Sequence, residues 1–482
     1  MAGVTAAVGS LALLAFLVGG HFGFPAYLEI MEGTVLRHFE LAATGQPIYT
    51  PPAPGFVAFA YNPLYYYAAI PLSWIFGVNL MALRALAILG MAGIAGVMFL
   101  AARRETQSDW WGLGAAGLFA AAYKAQDAYL DSAHADSSML FCALAGSYLL
   151  SRRRTWAAIA LLIAAFWCKQ HGALFLIGGL AWIAWSEGPR RAWPLVALAL
   201  AAGPALYLFA GPALFGSHFH FYTWETPRSW SQLDAESLTR LARLLARSYL
   251  IPAAAGVWLF ARTWRSLSIW HVQLAMASAS ALMGALDPGS SDNVFAGWGL
   301  LLILWGVRGC HALPAGWGRA ALLAAYLPLA YNPLDYRSGP EAAEVYAGFQ
   351  TYLKGLPGSV AIPKFGHVPG VRLQPAAHWV AVIDLVRGPG RNERDSPVTK
   401  GLMSPPPDWL LMHNPLEPDP LLGYLAPHYE LQADLGDRFR AIGNVPHRFD
   451  VVWPRYLYRL RAVGERTARD PHSASPDRGP AE

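Results

Sequence analysis

Charged residues are scarce in this chain of 482 residues. Asp, Glu, Lys and Arg together make up 14% of the sequence, whereas hydrophobic residues make up 55% and the mean hydropathy is +0.30. Soluble domains carry about a quarter of their residues as charged side chains. The scarcity therefore excludes an ordinary soluble protein and indicates a polytopic membrane protein.

Cysteine is also rare, and basic residues are missing from the start of the chain. The three cysteines, Cys142, Cys168 and Cys310, lie in or near apolar runs without paired spacing, which argues against a disulfide framework and a zinc site. The first basic residue is Arg37, so the opening run MAGVTAAVGSLALLAFLVGG lacks the basic region of a cleaved signal peptide. We therefore expect an uncleaved first membrane span.

Long apolar runs fill the first two thirds of the chain. They predict an all-α polytopic membrane bundle over residues 1–331, with about eleven transmembrane helices. The runs that approach the roughly 20 residues of a membrane-spanning helix lie at 4–22, 79–101, 109–124, 136–150, 155–168, 172–186, 193–211, 248–261, 269–286, 293–308 and 319–331.

Charge alternates between successive connections of this predicted bundle. One set is basic and includes AARRE, SRRRT, GPRR and ARTWR. The other set holds the acids, histidines and amides and comprises the predicted first to fifth external loops, at 21–78, 124–135, 169–171, 212–247 and 287–293. Because Lys and Arg concentrate in cytoplasmic loops, we expect the second set outside a bacterial plasma (inner) membrane, on its periplasmic face. The C-terminal part of the chain is expected on the same external face.

The first external loop and the C-terminal region depart from the spanning pattern. The loop is expected to hold two helices, at 26–43 and 63–76, the second lying at the membrane interface because its apolar stretch is short and rich in Tyr and Trp. From 332 to 465, prolines, charges and β-like runs such as GSVAIP and HWVAVIDLV predict a small soluble α/β or α+β domain. Residues 466–482 are typical of a disordered tail.

Ionisable side chains are expensive at membrane depth and mark functional paths, and here they converge on the predicted external face. Five loops contribute to one polar surface above an apolar bundle, which suits a ligand with a charged head and a lipid tail. The contributing residues are Glu29, Glu32, Asp127, Asp131, His134, Asp136, Lys169, His171, His218, His220, Asp287, Asp292 and Asn293.

Each of these residues also has a purely structural explanation. Glu29 and Glu32 are spaced i, i+3 and could form the solvated side of an interfacial helix. The acids that precede Ser137 could cap the helix that starts there. Lys169 could extend to the lipid headgroups.

The order of these features resembles the GT-C superfamily of polyprenyl-phosphate-sugar-dependent glycosyltransferases. The likeness is to the bacterial branch related to protein O-mannosyltransferases and the lipid A aminoarabinose transferase. It rests on an acidic residue early in a long external loop, on GQPIY and YNPLYYY before the second span, on a basic cytoplasmic turn, and on YLDSAHADS before the fourth span. The resemblance covers residues 1–310.

The resemblance implies an inverting transfer of a sugar from a polyprenyl phosphate to an acceptor hydroxyl. A carboxylate of the first external loop would be the general base; the candidates are Glu32 and Glu29, and Gly33 favours Glu32 by leaving room for the acceptor. The chain departs from the family pattern by having Glu where many relatives have Asp, and by lacking an adjacent Asp-Glu pair.

Substrate contacts are implied for further external residues. Lys169, with Gln170 and His171, is the first candidate to bind the leaving phosphate, which needs cations, and Arg37, His134 and Lys124 follow. Asp131 and Asp136 would bind sugar hydroxyls or orient His134, and Asn293 could contact the phosphate or the sugar. The substrate-binding candidates are Tyr61, Asp131, His134, Asp136, Lys169, Gln170, His171, Asn293 and Arg37.

Cofactors and partners follow from the same resemblance. Some GT-C enzymes require a divalent cation and others do not, and His218 and His220 come without an evident third metal ligand. The expected partners are a polyprenyl-phosphate-linked sugar donor, a glycan, lipid or protein acceptor, and membrane lipids, with no nucleic acid.

Two other functions remain open at this point. A transporter or flippase of lipid-linked glycans would place charges near the bilayer midplane, often in repeated halves, and the sequence shows no internal repeat. A non-catalytic scaffold of envelope-glycan assembly would keep the helices without needing the Glu, Asp and Lys set.

Overall fold

The structure is a computed structural model that describes residues 1–230, 235–287, 290–387, 396–443 and 452–462. The chain divides into two compact units. The first takes in Met1–Pro51 and Ala58–Ser338, and the second takes in Pro52–Val57, Gly339–Gly443 and the chain from Val452 onward. The predicted tail at 466–482 lies outside the described residues.

The first unit is helical. Its helices are α1 (Ala2–Phe22), α2 (Glu32–Ala43), α3 (Leu64–Ala68), α4 (Ile70–Phe76), α5 (Leu80–Thr106), α6 (Asp109–Ala121), α7 (Asp136–Ser151), α8 (Thr155–Cys168), α9 (Gly172–Glu187), α10 (Pro189–Leu200), α11 (Gly211–Phe215), α12 (Thr226–Arg228), α13 (Ala235–Leu244), α14 (Leu250–Thr263), α15 (Ile269–Ala285), α16 (Ala296–Ala312) and α17 (Ala315–Tyr326). Wider π-helical turns at Ala201–Ala210 and Leu245–Tyr249 join α10 to α11 and α13 to α14.

Each of the eleven predicted apolar runs lies on one of these helices or on a helix with the turns continuous with it. Within the described residues, five helical segments are long and apolar enough to cross a membrane: Ala2–Phe22, Leu80–Thr106, Pro189–Phe215, Ala235–Thr263 and Asp292–Ala312. The helices Thr155–Cys168 and Gly172–Glu187 are apolar but shorter. The chain is therefore multi-pass, and the count of eleven crossings stays a prediction.

The first helix of the predicted external loop 21–78 starts later than the sequence predicts. Helix α2 begins at Glu32 and not at residue 26. The reason is local, because the Glu32 and Glu29 carboxylates accept hydrogen bonds from the backbone N–H groups of Leu28 and Met31, respectively. Side chains that capture nearby backbone donors compete with helix formation. The two glutamates are therefore not neighbours on one helical face. The helix predicted at 63–76 is present as the two short helices α3 and α4, and its position at the membrane interface stays a prediction.

In its described residues, the second unit carries a mixed four-stranded sheet and three helices, in agreement with the predicted α/β or α+β domain. The strands are β1 (Val360–Ala361), β2 (Trp409–Met412), β3 (Tyr429–Asp434) and β4 (Tyr456–Leu460), in the spatial order β1-β2-β4-β3, and only β1 and β2 pair in parallel. The helices are α18 (Ala342–Lys354), α19 (Trp379–Val386) and α20 (Pro397–Leu402).

The prediction for one β-like run of the second unit was wrong. HWVAVIDLV forms α19, which His378 starts by accepting a hydrogen bond at its side chain from the N–H of Val380. GSVAIP does contain a strand, β1. A short apolar run fits a buried helix as well as a strand, so the capping histidine decides between them.

Glycines let helices of the first unit approach each other closely near the start of α7. Helix α5 packs against α6 and α7, α7 against α8, and α8 against α9. A Cβ atom at Gly90 of α5 would lie 3.0 Å from the carbonyl carbon and oxygen of Ser137, which follows Asp136. The small residue therefore holds the start of α7 tightly against α5.

The turn from α8 to α9 depends on Gly172, and this generates a prediction. A Cβ there would lie 2.3 Å from the carbonyl atoms of Ala165, a backbone contact that cannot give way. We expect Gly172→Ala to lower the midpoint of thermal unfolding in detergent below that of the wild-type protein. Gly96→Ala in α5 is the matched control, since no atom lies within 4 Å of its Cβ position; a helical Gly→Ala change should leave stability equal or higher by up to about 1 kcal/mol. Equal midpoints for the two variants would show that the turn tolerates a methyl group and does not depend on Gly172.

Candidate functional site

A fully buried ion pair joins α2 to α5. The side chains of Glu32 and Arg84 are both 0% exposed, and Arg84 donates to both carboxylate oxygens. The same two oxygens accept from the backbone N–H groups of Leu28 at 2.8 Å and Ala133 at 2.6 Å. A carboxylate has about four acceptor positions, so these four donors fill the group.

The rest of the Arg84 guanidinium holds the end of α1. It donates to the carbonyl oxygens of Phe24 at 2.5 Å, Ala26 at 2.6 Å and His21 at 3.3 Å. One buried cation thus connects the end of α1, the start of α2 and, through Glu32, the second external loop at Ala133. Sequence reasoning missed Arg84, although a lone arginine inside an apolar helix is itself a signal for a buried partner.

A second buried pair fixes Asp131. Its carboxylate lies 2.6 Å from His21 Nδ1 and accepts from the hydroxyl of Tyr123 at 3.0 Å. The other ring nitrogen of His21 donates to the carbonyl oxygen of Tyr336 at 2.5 Å. Asp131 was predicted to bind sugar hydroxyls or to orient His134; in the structure its carboxylate contacts His21 of α1 and Tyr123. Sequence reasoning did not single out His21 or Tyr123.

A third group of buried polar side chains, Lys169, Asp136 and His134, is connected by hydrogen bonds at the start of α7. Lys169 Nζ donates to both Asp136 oxygens, at 2.8 and 3.0 Å, and His134 Nδ1 donates to the same carboxylate. All three residues are buried. Residues of the loop 124–135 and of the α8–α9 turn therefore meet at Asp136.

Aromatic rings surround the imidazole of His134. The ring centres of Tyr61 and Tyr129 lie 4.7 and 4.8 Å away, each edge-on to the imidazole. The Lys169 ammonium lies 5.2 Å from the centre of the Tyr61 ring. Tyr61 and Met31 are only half-buried, so this cluster of Tyr61, Tyr129, His134, Asp136 and Lys169, called the imidazole cluster, reaches the surface there.

Glu29 lies beside the imidazole cluster. Its carboxylate accepts from the N–H of Met31 at 2.8 Å, and the Met31 sulfur accepts from the hydroxyl of Tyr129 at 3.4 Å. Burial raises the pKa of the Tyr129 phenol well above its usual range, and the negative charge of Glu29 raises it further. The first loop therefore brings a carboxylate to the cluster as well as the Tyr61 ring.

The backbone before Tyr129 is strained. Asp127 and Ala128 have φ values of 61° and 50°, in the left-handed region that costs non-glycine residues about 1 to 3 kcal/mol each. Hydrogen bonds from their N–H groups to the carbonyls of Lys124 and Tyr123 compensate in part. This reversal sends the chain from the end of α6 back toward Tyr129 and His134.

The other predicted binding residues have different surroundings. Gln170 donates to the carbonyl oxygens of Ala60 and Thr223, and His171 lies 3.3 Å from the Ser280 hydroxyl. Burial, with the nearby Lys169 charge, lowers the pKa of His171 to about 4.

Arg37 and Asn293 lie apart from the imidazole cluster. Arg37 pairs with Glu40 at 2.9 Å on the partly exposed side of α2, and Asn293 accepts from the Ser291 hydroxyl. Neither shares a hydrogen bond with the cluster in the described part of the chain. Among the described residues, no group of three or more His, Cys, Asp and Glu side chains is placed to hold a metal ion. His218 and His220 contact Ser217 and the Tyr207 carbonyl instead.

Comparison with known proteins gives a partial likeness of fold. The chain is similar to the crystal structure of ArnT from Cupriavidus metallidurans in the apo state, with 16% identity and a TM-score of 0.46 over 65% of this chain and 62% of that one. It is also similar to the same protein bound to undecaprenyl phosphate, with 17% identity and a TM-score of 0.45 over 65% and 61% of the two chains. The match thus spans less than two thirds of the ArnT chain. No protein-family model and no curated protein matches the sequence.

The buried Glu32–Arg84 pair generates a stability prediction. Removing one partner leaves the other charge buried without compensation, which costs about 3 to 5 kcal/mol. We therefore expect Glu32→Gln and Arg84→Met each to lower the free energy of unfolding by about that amount, measured by tryptophan fluorescence during unfolding in mixed micelles.

The control for that prediction lies on the same helix. Glu40→Gln removes a partly exposed pair with Arg37, and such pairs contribute about 0 to 1 kcal/mol. The double variant Glu32→Gln with Arg84→Met should lose less stability than the sum of the single losses. A Glu32→Gln variant as stable as Glu40→Gln would show that the Glu32–Arg84 pair does not hold α1, α2 and α5 together.

Proposed function

We propose that this chain is an integral-membrane glycosyltransferase of the GT-C type. It would transfer a sugar from a polyprenyl-phosphate donor to an acceptor hydroxyl, with inversion, on the external (periplasmic) face of the bacterial inner membrane. The observation that carries the proposal is the imidazole cluster with Glu29 beside it, since it combines a carboxylate, a cation and an imidazole at the end of an apolar bundle.

The reaction needs a base, a cation and room for the sugar. The acceptor oxygen attacks the anomeric carbon, the bond from that carbon to the phosphate oxygen breaks, and its electron pair stays on the phosphate. The hydroxyl proton goes to a carboxylate. Lys169 donates two of its three hydrogens to Asp136, so the third is available to the leaving phosphate.

Glu29 suits the role of base better than Glu32. The acceptor positions of Glu32 are filled by two backbone donors and by Arg84, which is buried with it. Taking a proton there would break the buried ion pair. Glu29 is buried beside Tyr129 and the half-buried Met31, so an acceptor would reach its carboxylate past Met31. We therefore assign the base to Glu29 and an anchoring role to Glu32.

The proposal is tested with the purified full-length chain in proteoliposomes. The probes are undecaprenyl-phosphate hexoses and pentoses, with and without an extract of bacterial envelope as the source of acceptor, and the signal is release of free undecaprenyl phosphate. Undecaprenyl phosphate is chosen because it is the lipid bound in one of the similar ArnT structures.

We expect wild type to release undecaprenyl phosphate from one of these donors. Glu29→Gln should lower kcat about 10²- to 10⁴-fold, the usual contribution of a general base, while the unfolding midpoint stays near that of wild type. Glu40→Gln, which changes an identical side chain on the exposed side of α2, should retain wild-type turnover. Full activity of Glu29→Gln would remove Glu29 from the mechanism. Transport of a labelled lipid-linked sugar across the bilayer without donor consumption would replace the transferase by a flippase.

A further inference from the structure

The His134 imidazole carries a buried nitrogen that no protein group satisfies. His134 is 1% exposed, and its Nε2 atom has no hydrogen-bond partner among the described residues. A buried polar atom left without a partner destabilises the folded state, because it has lost its hydrogen bond to water. The rings of Tyr61 and Tyr129 are edge-on to the imidazole, so the neighbours of this polar nitrogen include two aromatic rings.

The contacts on the other side of the ring fix the polarity of this nitrogen. Lys169 donates to both oxygens of Asp136, which marks that carboxylate as ionised and therefore an acceptor only. His134 Nδ1 must then carry the hydrogen that it donates to Asp136. In a neutral imidazole the remaining nitrogen, Nε2, is an acceptor. Its ligand must be a donor, such as a hydroxyl or an amine, and not a phosphate oxygen.

The surroundings keep the imidazole neutral. Burial lowers the pKa of His134, and the Lys169 ammonium lowers it further, while the carboxylates of Asp136 and Glu32 oppose them. The other titratable groups that face the ring are the phenols of Tyr61 and Tyr129. At neutral pH the ring therefore offers an acceptor at Nε2.

Lys169 places this acceptor relative to a lipid-phosphate donor. Lys169 Nζ and His134 Nδ1 both contact the same oxygen, Oδ2, of Asp136. One oxygen atom therefore lies between the ammonium nitrogen and the imidazole ring. If the third hydrogen of Lys169 binds the donor phosphate, the sugar, which is bonded directly to that phosphate, lies next to the imidazole. The sugar substituent closest to the phosphate is the one on the carbon adjacent to the anomeric carbon.

We propose that His134 Nε2 accepts a hydrogen bond from the hydroxyl or amine on the carbon adjacent to the anomeric carbon of the donor sugar. This inference rests on the proposed function and adds a specificity-determining contact to it. A site built to bond a substrate hydroxyl discriminates strongly against the analogue that lacks it, because the buried group is left unpaired. Asp136 and Lys169 are then positioning residues that orient the ring.

Equilibrium binding tests the contact without requiring turnover. The full-length protein in detergent is titrated with three probes: the undecaprenyl-phosphate sugar that wild type binds best, its 2-deoxy analogue, and sugar-free undecaprenyl phosphate. The variants are His134→Phe, which keeps a ring between the two tyrosines, and His134→Asn, which keeps a donor toward Asp136. His218→Phe on the fourth external loop is the control, since its side chain contacts Ser217.

The expected result is a non-additive loss. Wild type should bind the 2-deoxy sugar about 10- to 100-fold more weakly than the intact sugar. His134→Phe should bind the intact sugar with a similar loss, should not distinguish it from the 2-deoxy analogue, and should bind sugar-free undecaprenyl phosphate as wild type does. His218→Phe should match wild type with all three probes.

The contrary results are distinct. Discrimination against the 2-deoxy sugar that persists in both His134 variants would overturn the contact while leaving the proposed function intact, as would equal binding of both sugars by wild type. Loss of sugar-free undecaprenyl phosphate by both variants would show that His134 supports the fold and not the sugar. A wild type that binds none of the lipids would refute the proposed function, and the inference with it.

Discussion

The buried pair of Glu32 and Arg84 is the constraint on which the site depends. A guanidinium without solvent contact must find its partners inside the protein, and Arg84 finds them on the end of α1 and the start of α2. Because Glu32 in turn accepts from the N–H of Ala133, the second external loop is fixed against the first. The bond between Ala133 and Glu32 thus holds the segment with Tyr129 and His134 close to Glu29 and Tyr61.

The same principle repeats around the pair. Asp131 is matched by His21, and Asp136 by Lys169 and His134, so each of these buried acids has a basic partner on another element or beside it in the chain. Breaking any buried pair leaves a costly lone charge, which makes the three contacts mutually reinforcing. The chain can thus place many ionisable groups at the edge of an apolar bundle and still leave one imidazole nitrogen for a ligand.

Sequence reasoning predicted the helices from local composition, and it predicted one polar surface built from five loops, of which the described contacts join residues of three at the imidazole cluster. It placed Tyr61, His134, Asp136 and Lys169 in one site, and the structure brings these four together. It could not assign partners. The link from Asp131 to His21 spans 110 residues, and Arg84 is hidden in an apolar run whose average hydropathy is high. The turn at Glu29 also escaped prediction, since the donors that the two glutamates capture are backbone groups that every sequence has.

The roles of the two first-loop glutamates show why residue type alone does not define a catalytic group. Both are acids of the same loop, three residues apart, and the sequence favours Glu32 because Gly33 follows it. Glu32 is set apart by its donors, because its four acceptor positions are filled and a buried cation is among the groups that fill them. A general base must accept one more proton in the transition state, and at Glu32 that proton would displace a bond of the anchor. Under the proposed function, the anchoring role of Glu32 is therefore the reason to assign the base to Glu29.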